Sequence, residues 1–186
     1  MLNIAEIIQE HSKVIAQLEK QIPTIDQIAA VMTTAVRNNG TIFWIGNGGS
    51  AADAQHLAAE LIGRFKRERQ ALPSLALTTD SSVLTALSND YDYSIVFSRQ
   101  LDALCKPGDV VVGLSTSGNS ENVNKGLDAA KARHAITIAL TGKDGGKIIN
   151  HADYSLIVPS DDTARIQEAH ILIGHILCDC IEQCLI

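Results

Sequence analysis

The stretch VVVGLSTSGNS, residues 110–120, decides the fold. Its first five residues are apolar and rich in β-branched side chains, which is typical of a strand buried on both faces of a parallel sheet. Four hydroxyl residues follow, just before a helical pattern at 121–133. Backbone N–H groups and the dipole at the start of a helix favour anions, of which phosphate is the usual one. The stretch therefore predicts a site for a phosphorylated small molecule.

Strand-like segments alternate with helical patterns along most of the chain. Together they predict an α/β fold, a three-layer, doubly wound sheet of about five parallel strands. In such a sheet, ligands bind beyond the carboxyl ends of the strands. The predicted strands cover 41–45, 75–77, 109–114, 135–140 and 154–158, and the predicted helices cover 51–65, 81–88, 92–104, 121–133 and 165–185.

Two helical patterns precede the first strand. Residues 3–20 have apolar positions at helical spacing, Pro23 interrupts the pattern, and a second helix at 24–37 ends at the stop signal 38–40. We expect residues 1–40 to form a helical hairpin that packs on the rest of the chain and on a neighbouring subunit. The whole chain, 1–186, is predicted to be a single domain.

Composition narrows the choice of partners. The 186 residues carry a net charge of −6 without a basic stripe, which argues against nucleic acid. No stretch approaches the roughly 20 apolar residues of a membrane span, and no signal peptide begins the chain. Four cysteines without a CxxC pair suit reduced thiols and a cytoplasmic location better than a thiolate metal site. The basic run at 64–69 is either a solvated helix end or a segment whose Arg64 turns inward to a substrate.

The glycine loop GNGGS, residues 46–50, follows the first predicted strand. It matches neither the GxGxxG pattern of dinucleotide-binding proteins nor the GxxxxGK[ST] pattern of the P-loop, so nicotinamide and nucleoside triphosphate ligands are disfavoured. Its glycines permit a close approach of the backbone to a ligand. Alone the loop is generic, but together with the serine-rich loop it supports a site for a small phosphorylated molecule.

Two helices carry side chains that could perform chemistry. His56 and Glu60 lie four residues apart on one helical face, as a surface pair worth a few tenths of a kcal/mol or as a functional pair. On the terminal helix, His175 lies within an apolar run, whereas His170 is interpreted as an ordinary boundary residue. Gln167 and His175 are eight residues apart, about 12 Å along a regular helix, so one chain does not readily bring both to one point.

Four motifs in combination resemble the SIS (sugar isomerase) domain. Within that superfamily the chain resembles the phosphoheptose isomerases, also called sedoheptulose-7-phosphate isomerases, over essentially its whole length. The motifs are GNGGS at 46–50, STSGNS at 115–120, LTGKDGG at 140–146 and RIQE at 165–168. One departure is visible, because Ala164 stands where some members have an aspartate.

The resemblance implies conversion of sedoheptulose 7-phosphate to D-glycero-D-manno-heptose 7-phosphate through an enediol, for the heptose of lipopolysaccharide. It also implies a homotetramer with active sites between subunits. Glu60 is expected to be the catalytic base and His175 the acid, and one zinc ion per subunit is expected on His56, Glu60, Gln167 and His175. The expected substrate-binding residues are Asn47, Gly48, Gly49, Ser50, Glu60, Arg64, Asn89, Asp90, Ser115, Thr116, Ser117, Ser120 and Gln167.

A second family branch has the same framework but a different function. It is a non-catalytic regulatory protein that associates with the bacterial replication initiator. Its pattern lacks the residues that match Glu60 and His175, and this chain has both. The sequence therefore favours the isomerase over the regulatory protein.

Overall fold

The computed structural model describes residues 3–185, and a parallel five-stranded sheet of order β2-β1-β3-β4-β5 lies at its centre. Residues 1, 2 and 186, the ends of the predicted domain, lie outside the described residues. The strands are β1 (Ile42–Gly46), β2 (Ser74–Ala76), β3 (Val110–Ser115), β4 (Ile136–Gly142) and β5 (Tyr154–Val158). The helices are α1 (Ile4–Gln17), α2 (Ile22–Arg37), α3 (Gly49–Ile62), α4 (Ser81–Asp90), α5 (Ser98–Leu104), α6 (Glu121–Ala132) and α7 (Thr163–Leu185).

Helices cover both faces of the sheet, as predicted for three layers. β3 is the middle strand and all six of its residues are buried. Because side chains alternate along a strand, Val110, Val112 and Leu114 join the core beneath α2, α3 and α7, whereas Val111 joins the core beneath α5 and α6. The continuous apolar run is therefore the signature of a strand with no solvent face.

The point at which the strand order reverses lies between β1 and β3. Their registers place Gly46, the last residue of β1, opposite Leu114 of β3. The glycine loop after β1 and the serine-rich loop after β3 therefore start side by side at the carboxyl edge of the sheet. Such a switch point is the ligand-binding crevice of open α/β sheets.

The predicted hairpin at 1–40 is wrong in one respect, because no reversing loop separates its helices. A 3-10 turn at Leu18–Gln21 joins α1 to α2 with the backbone at Gln17, Leu18 and Ile22 in helical conformation. Pro23 lies at the start of α2, where its missing N–H group costs no hydrogen bond, so it begins a helix instead of turning the chain back. Both helices pack against α7.

Helix α3 ends three residues earlier than predicted. The prediction extends it to Phe65, whereas the helix ends at Ile62 and Gly63 follows as its C-cap. Beyond it, the N–H group of Phe65 donates to the carboxylate of Glu182 on α7 and not to a helix carbonyl. A partner 117 residues away in the sequence therefore sets this boundary.

Among residues 3–185, no helix combines the length and the apolar character that a membrane crossing needs. The four cysteines are free, with Cys105 and Cys178 buried. Burial raises the pKa of Cys105 to about 11, so its thiol is protonated at neutral pH.

Candidate active site

A pair of amides fastens the glycine loop to the start of α6. Asn47 Nδ2 donates to Asn122 Oδ1 at 2.9 Å, and Asn122 Nδ2 donates back to Asn47 Oδ1 at 2.8 Å. The hydroxyl of Tyr93 also donates to Asn47 Oδ1, at 3.1 Å. These bonds hold the loops after β1 and β3 together at the switch point. Neither Asn122 nor Tyr93 is predicted from the sequence, because neither belongs to a recognised motif.

The serine-rich loop presents its hydroxyls at the amino end of α6. Ser115 is buried, and its Oγ atom donates to Ser120 Oγ at 3.0 Å, while Thr116 and Ser117 are half-buried. Ser120 is the N-cap residue of α6, and its side chain does not bond to the helix. Gly48 is the N-cap residue of α3, and it too provides no side-chain hydrogen bond to its helix. Two helix starts with N–H groups left for a ligand therefore meet at the crevice, an arrangement suited to an anion.

Helices α3 and α7 lie side by side and run in the same direction. Near their start, a Cβ atom on Gly49 would come within 2.5 Å of Gln167 Nε2. Two turns further on, a Cβ atom on Gly174 would come within 2.5 Å of Leu57 Cδ2. The two glycines therefore allow the helices to approach closely, and this approach brings His175 opposite His56.

His56, Glu60 and His175 form one cluster within a single chain. His56 Nε2 lies 2.9 Å from His175 Nε2 and 3.1 Å from Glu60 Oε1. The ligand atoms of the three residues all lie within 4.8 Å of one another. The His56 and Glu60 side chains are 50% and 20% exposed, so a ligand can reach the cluster from solvent.

The cluster has the donor set of a catalytic zinc site. Two imidazoles and one carboxylate are a common protein contribution to catalytic zinc, with the fourth position left open. Zn–N bonds of 2.0–2.1 Å at tetrahedral angles place ligand atoms about 3.3 Å apart, within a few tenths of an ångström of the two distances from His56 Nε2. The three residues could therefore hold a metal ion with small side-chain adjustments.

Phe65 covers one side of His175. The two rings are stacked, with centroids 5.2 Å apart and planes 14° apart. Burial lowers the pKa of His175, and the neighbouring His56 lowers it further. The His175 imidazole is therefore neutral at pH 7 and able to bind a metal or exchange a proton.

The structure places Gln167 apart from this cluster. Its amide lies against Gly49 at the start of α3, two turns before His56. Three of the four predicted metal ligands thus meet in one chain. The fourth, Gln167, lies with the predicted substrate-binding loop.

The other predicted substrate-binding residues differ in their surroundings. Ser50 is buried in the first turn of α3. Arg64 is exposed and pairs with Glu68 at 3.7 Å. Asn89 and Asp90 are exposed at the end of α4, where Asn89 Nδ2 donates to Asp90 Oδ1 at 2.9 Å. Their substrate contacts remain predictions.

His170 is not the boundary residue that its position suggests. It is fully buried, and burial lowers its pKa to about 4. Its Nε2 atom lies 3.2 Å from the carbonyl oxygen of Thr141. His170 is therefore a neutral core residue of α7, packed towards β4 and remote from solvent.

A cavity of about 640 Å³ lies elsewhere, between β2, α4 and α5. Its walls are mostly apolar, with Leu75, Leu87 and Leu104 among them. None of the residues of the His56–Glu60–His175 cluster lines it. Size alone therefore does not locate the candidate site, which is an open crevice in the single chain.

Comparison with known proteins agrees with the fold. The sequence model of the SIS domain matches residues 6–142. A phosphoheptose isomerase from Aquifex aeolicus is 52% identical over 181 residues, which are 97% of this chain and 95% of that protein. The structure of phosphoheptose isomerase GmhA from Neisseria gonorrhoeae superposes with a TM-score of 0.92 at 48% identity, covering 97% of each chain. A phosphoheptose isomerase from Francisella tularensis gives 0.90 at 38% identity, covering 98% of this chain and all of that one. With this identity and coverage, the chain belongs to the SIS domain family and, within it, to the phosphoheptose isomerases.

Proposed function

We propose that the protein isomerises sedoheptulose 7-phosphate to D-glycero-D-manno-heptose 7-phosphate, for the heptose of lipopolysaccharide. The observation that carries the proposal is the convergence of His56 and Glu60 of α3 with His175 of α7. Relatives that are 52% identical over nearly the whole chain are phosphoheptose isomerases. The regulatory alternative is not proposed, because the groups that it lacks are the ones assembled here.

The reaction needs a base for carbon and a proton carrier for oxygen. Glu60 is proposed to take a proton from C1 of the ketose and, once that proton has exchanged with solvent, to donate one to C2 of the enediol. His175, neutral at pH 7, is proposed to move the proton between O1 and O2. Glu60 Oε1 and His175 Nε2 lie 3.1 and 2.9 Å from His56 Nε2, and this proximity supports their joint action on the C1–C2 unit of one substrate.

The serine-rich loop is proposed to hold the phosphate. Ser115, Thr116, Ser117 and Ser120 offer neutral donors, and the starts of α3 and α6 add N–H groups. A phosphate fixed there sets the register of the seven-carbon chain. The remaining predicted contacts to the sugar are Asn47, Gly48, Gly49, Ser50, Glu60, Arg64, Asn89, Asp90 and Gln167.

One zinc ion per subunit is proposed on His56, Glu60 and His175. When bound, zinc would polarise the carbonyl group and stabilise the charge of the enediolate. Gln167 is the proposed fourth ligand. Because it lies with Gly49 in its own chain, we propose that the complete site forms between subunits.

A homotetramer with a single domain per chain, located in the cytoplasm, completes the proposal. The N-terminal helices support assembly, because Ile4, Ile8 and Ile22 are 68%, 61% and 51% exposed in the single chain. Ile4 and Ile8 lie one turn apart on one face of α1, and an exposed apolar patch is typical of a surface that another subunit covers. The packing of residues 1–40 on a neighbouring subunit is part of this proposal.

A proton NMR time course in D₂O tests the activity directly. The zinc-loaded protein is mixed with sedoheptulose 7-phosphate, and the heptose 7-phosphate is expected to carry deuterium at C2. Glu60→Gln should abolish turnover, whereas the control Asp102→Asn, on α5 across the sheet, should retain it. If the metal-loaded protein forms no aldose, the proposed activity is wrong.

A further inference from the structure

A buried ion pair lies behind the His56–Glu60–His175 cluster. Arg69 Nη2 is 3.0 Å from Glu182 Oε1, and the two side chains are 5% and 0% exposed. Arg69 lies in the segment after α3, and Glu182 lies in the last turns of α7. Glu182 belongs to none of the motifs described above, and Arg69 is the last residue of the basic run at 64–69. A fully buried glutamate on an apolar helix nevertheless needs partners that offset its desolvation.

Glu182 binds the backbone of the segment that follows α3. Its carboxylate accepts N–H groups from Phe65, Lys66 and Arg67 at 2.8, 2.9 and 3.0 Å. Burial by itself would raise the pKa of Glu182, but the three backbone N–H groups and Arg69 outweigh it and lower the pKa. Glu182 is therefore ionised at neutral pH, and it fixes the path of this segment.

Arg69 binds the carbonyl groups at the end of α3. Its Nη2 atom donates to the carbonyl oxygen of Glu60 at 2.8 Å, and its Nη1 atom donates to that of Leu61 at 2.9 Å. The last carbonyl groups of a helix have no partner within the helix. Arg69 supplies partners for two of them, including that of Glu60. The backbone of the proposed base is therefore tied to the buried ion pair.

The same ion pair reaches His175 through Phe65. Glu182 holds the N–H group of Phe65 at 2.8 Å, and the Phe65 ring stacks on the His175 ring. The pair thus contacts the backbone of one cluster residue and fixes the aromatic ring against another. The two contacts converge from opposite ends of the 60–65 segment.

We propose that Arg69 and Glu182 are positioning residues that set the orientation of Glu60 and His175 for the isomerisation. This inference rests on the proposed function of the cluster. Stability alone is a weak reason for such a pair, because a buried ion pair often contributes no more than apolar residues of similar volume. Orientation is a stronger reason, because small displacements of reacting groups are costly for catalysis.

The test compares Glu182→Gln with the matched control Asp179→Asn. Glutamine has the size of glutamate but presents an NH₂ group where the backbone N–H groups need an acceptor. Asp179 lies one turn earlier on α7 and pairs with the side chains of Lys66 and Arg67, without binding the backbone. The control therefore removes a carboxylate charge of α7 that pairs with the segment after α3, and it leaves the contacts of Glu182 to the backbone of that segment intact.

Two readouts distinguish positioning from a general loss of structure. In the zinc-loaded protein with ¹³C-labelled histidine, the His175 ring resonance reports the ring current of Phe65, and Phe65→Leu gives the resonance without that ring. Glu182→Gln should move the His175 resonance towards the Phe65→Leu position. It should also lower kcat about tenfold to a hundredfold with KM within about threefold, because it disturbs the orientation of groups that act in the transition state. Asp179→Asn should keep the resonance and kcat of the original protein.

Each outcome decides the proposal. A folded Glu182→Gln protein with the original His175 resonance and kcat would overturn it, and so would equal effects in the control. If Glu182→Gln does not fold, the variants Arg69→Lys and Phe65→Leu are measured in its place. A kcat equal to that of the original protein in either variant would overturn the proposal. If the unaltered protein itself forms no aldose, the proposed function fails, while the His175 resonance still tests the structural coupling.

Discussion

Gly174→Ala tests the close packing of α3 and α7 on which the cluster depends. A Cβ atom at this position would lie 2.5 Å from Leu57 Cδ2 and 3.0 Å from Leu57 Cγ. Carbon atoms pack at about 3.5–4.0 Å, so the helices would have to separate by roughly 1 Å or Leu57 would have to move. Leu57 is fully buried, which leaves it little room.

Two opposing effects determine how much Gly174→Ala changes the free energy of unfolding. Alanine is a better helix former than glycine by about 1 kcal/mol, which favours the variant. Overfilling a packed core costs about 1–3 kcal/mol, which opposes it. The collision involves three atoms of a fully buried side chain, which puts the cost in the upper part of this range, about 2–3 kcal/mol, so we expect the cost to prevail by about 1–2 kcal/mol. For a chain of this size, that free energy corresponds to a fall of roughly 2–8 °C in Tm.

Thermal unfolding followed by the fluorescence of Trp44 measures the effect, since Trp44 is the single tryptophan and is fully buried. Zinc titration measures the consequence for the cluster, because His175 moves with Gly174 and His56 with Leu57. Leu57→Ala removes the colliding atoms, so Gly174→Ala should cost nothing in that background. A Gly174→Ala protein that is more stable than the original, or an equal cost in both backgrounds, would refute the argument.

Three further predictions concern other parts of the site and core. Gly49→Ala should displace the Gln167 amide, which lies 2.5 Å from the new Cβ atom, and lower kcat/KM while Tm changes little, because a flexible side chain gives way. An unchanged kcat/KM measured in the isomerase assay would remove Gln167 from the site. Ser117→Ala should raise KM strongly if the serine-rich loop holds the phosphate, and steady-state kinetics would reveal an unchanged KM as a contradiction. His170 has a folded-state pKa of about 4, below its unfolded value of 6.5, so the unfolded chain binds the extra proton and stability falls as pH drops from 6.5 to 4. The loss is about 3 kcal/mol, and denaturant unfolding should show it in the original protein but not in His170→Gln.

The sheet and its ligand-binding edge follow from the sequence because their signals are local. The apolar run at 110–114 has no solvent face, and the hydroxyl residues after it mark the end of the strand. Parallel strands place all their carboxyl ends on one side, so both the glycine loop and the serine-rich loop are predicted at the same edge of the sheet. Neither conclusion requires knowledge of distant contacts.

The ends and joints of the helices depend on distant partners and were predicted less well. Pro23 resembles a break in sequence, yet it is the natural first-turn residue of α2. The end of α3 is set by the Glu182 carboxylate and by Arg69, neither of which belongs to a local capping motif. An acid within the apolar stretch of α7 was the available signal, and it indicates a buried partner without identifying one.

The spacing of Gln167 and His175 shows what helix packing adds to a sequence pattern. Eight residues separate them on α7, and a sequence alone cannot say what lies beside each turn. Because α3 runs parallel to α7, residues about two turns apart on α3 face residues about two turns apart on α7. Gly49 therefore lies beside Gln167, and His56 lies beside His175. The eight-residue separation keeps Gln167 and His175 from sharing one point within a single chain. It places them instead in neighbouring parts of one crevice. Gln167 lies where the glycine loop would receive substrate, and His175 lies where proton transfer is proposed. A role for Gln167 as a metal ligand then requires a second chain, which makes assembly a condition of the four-ligand site.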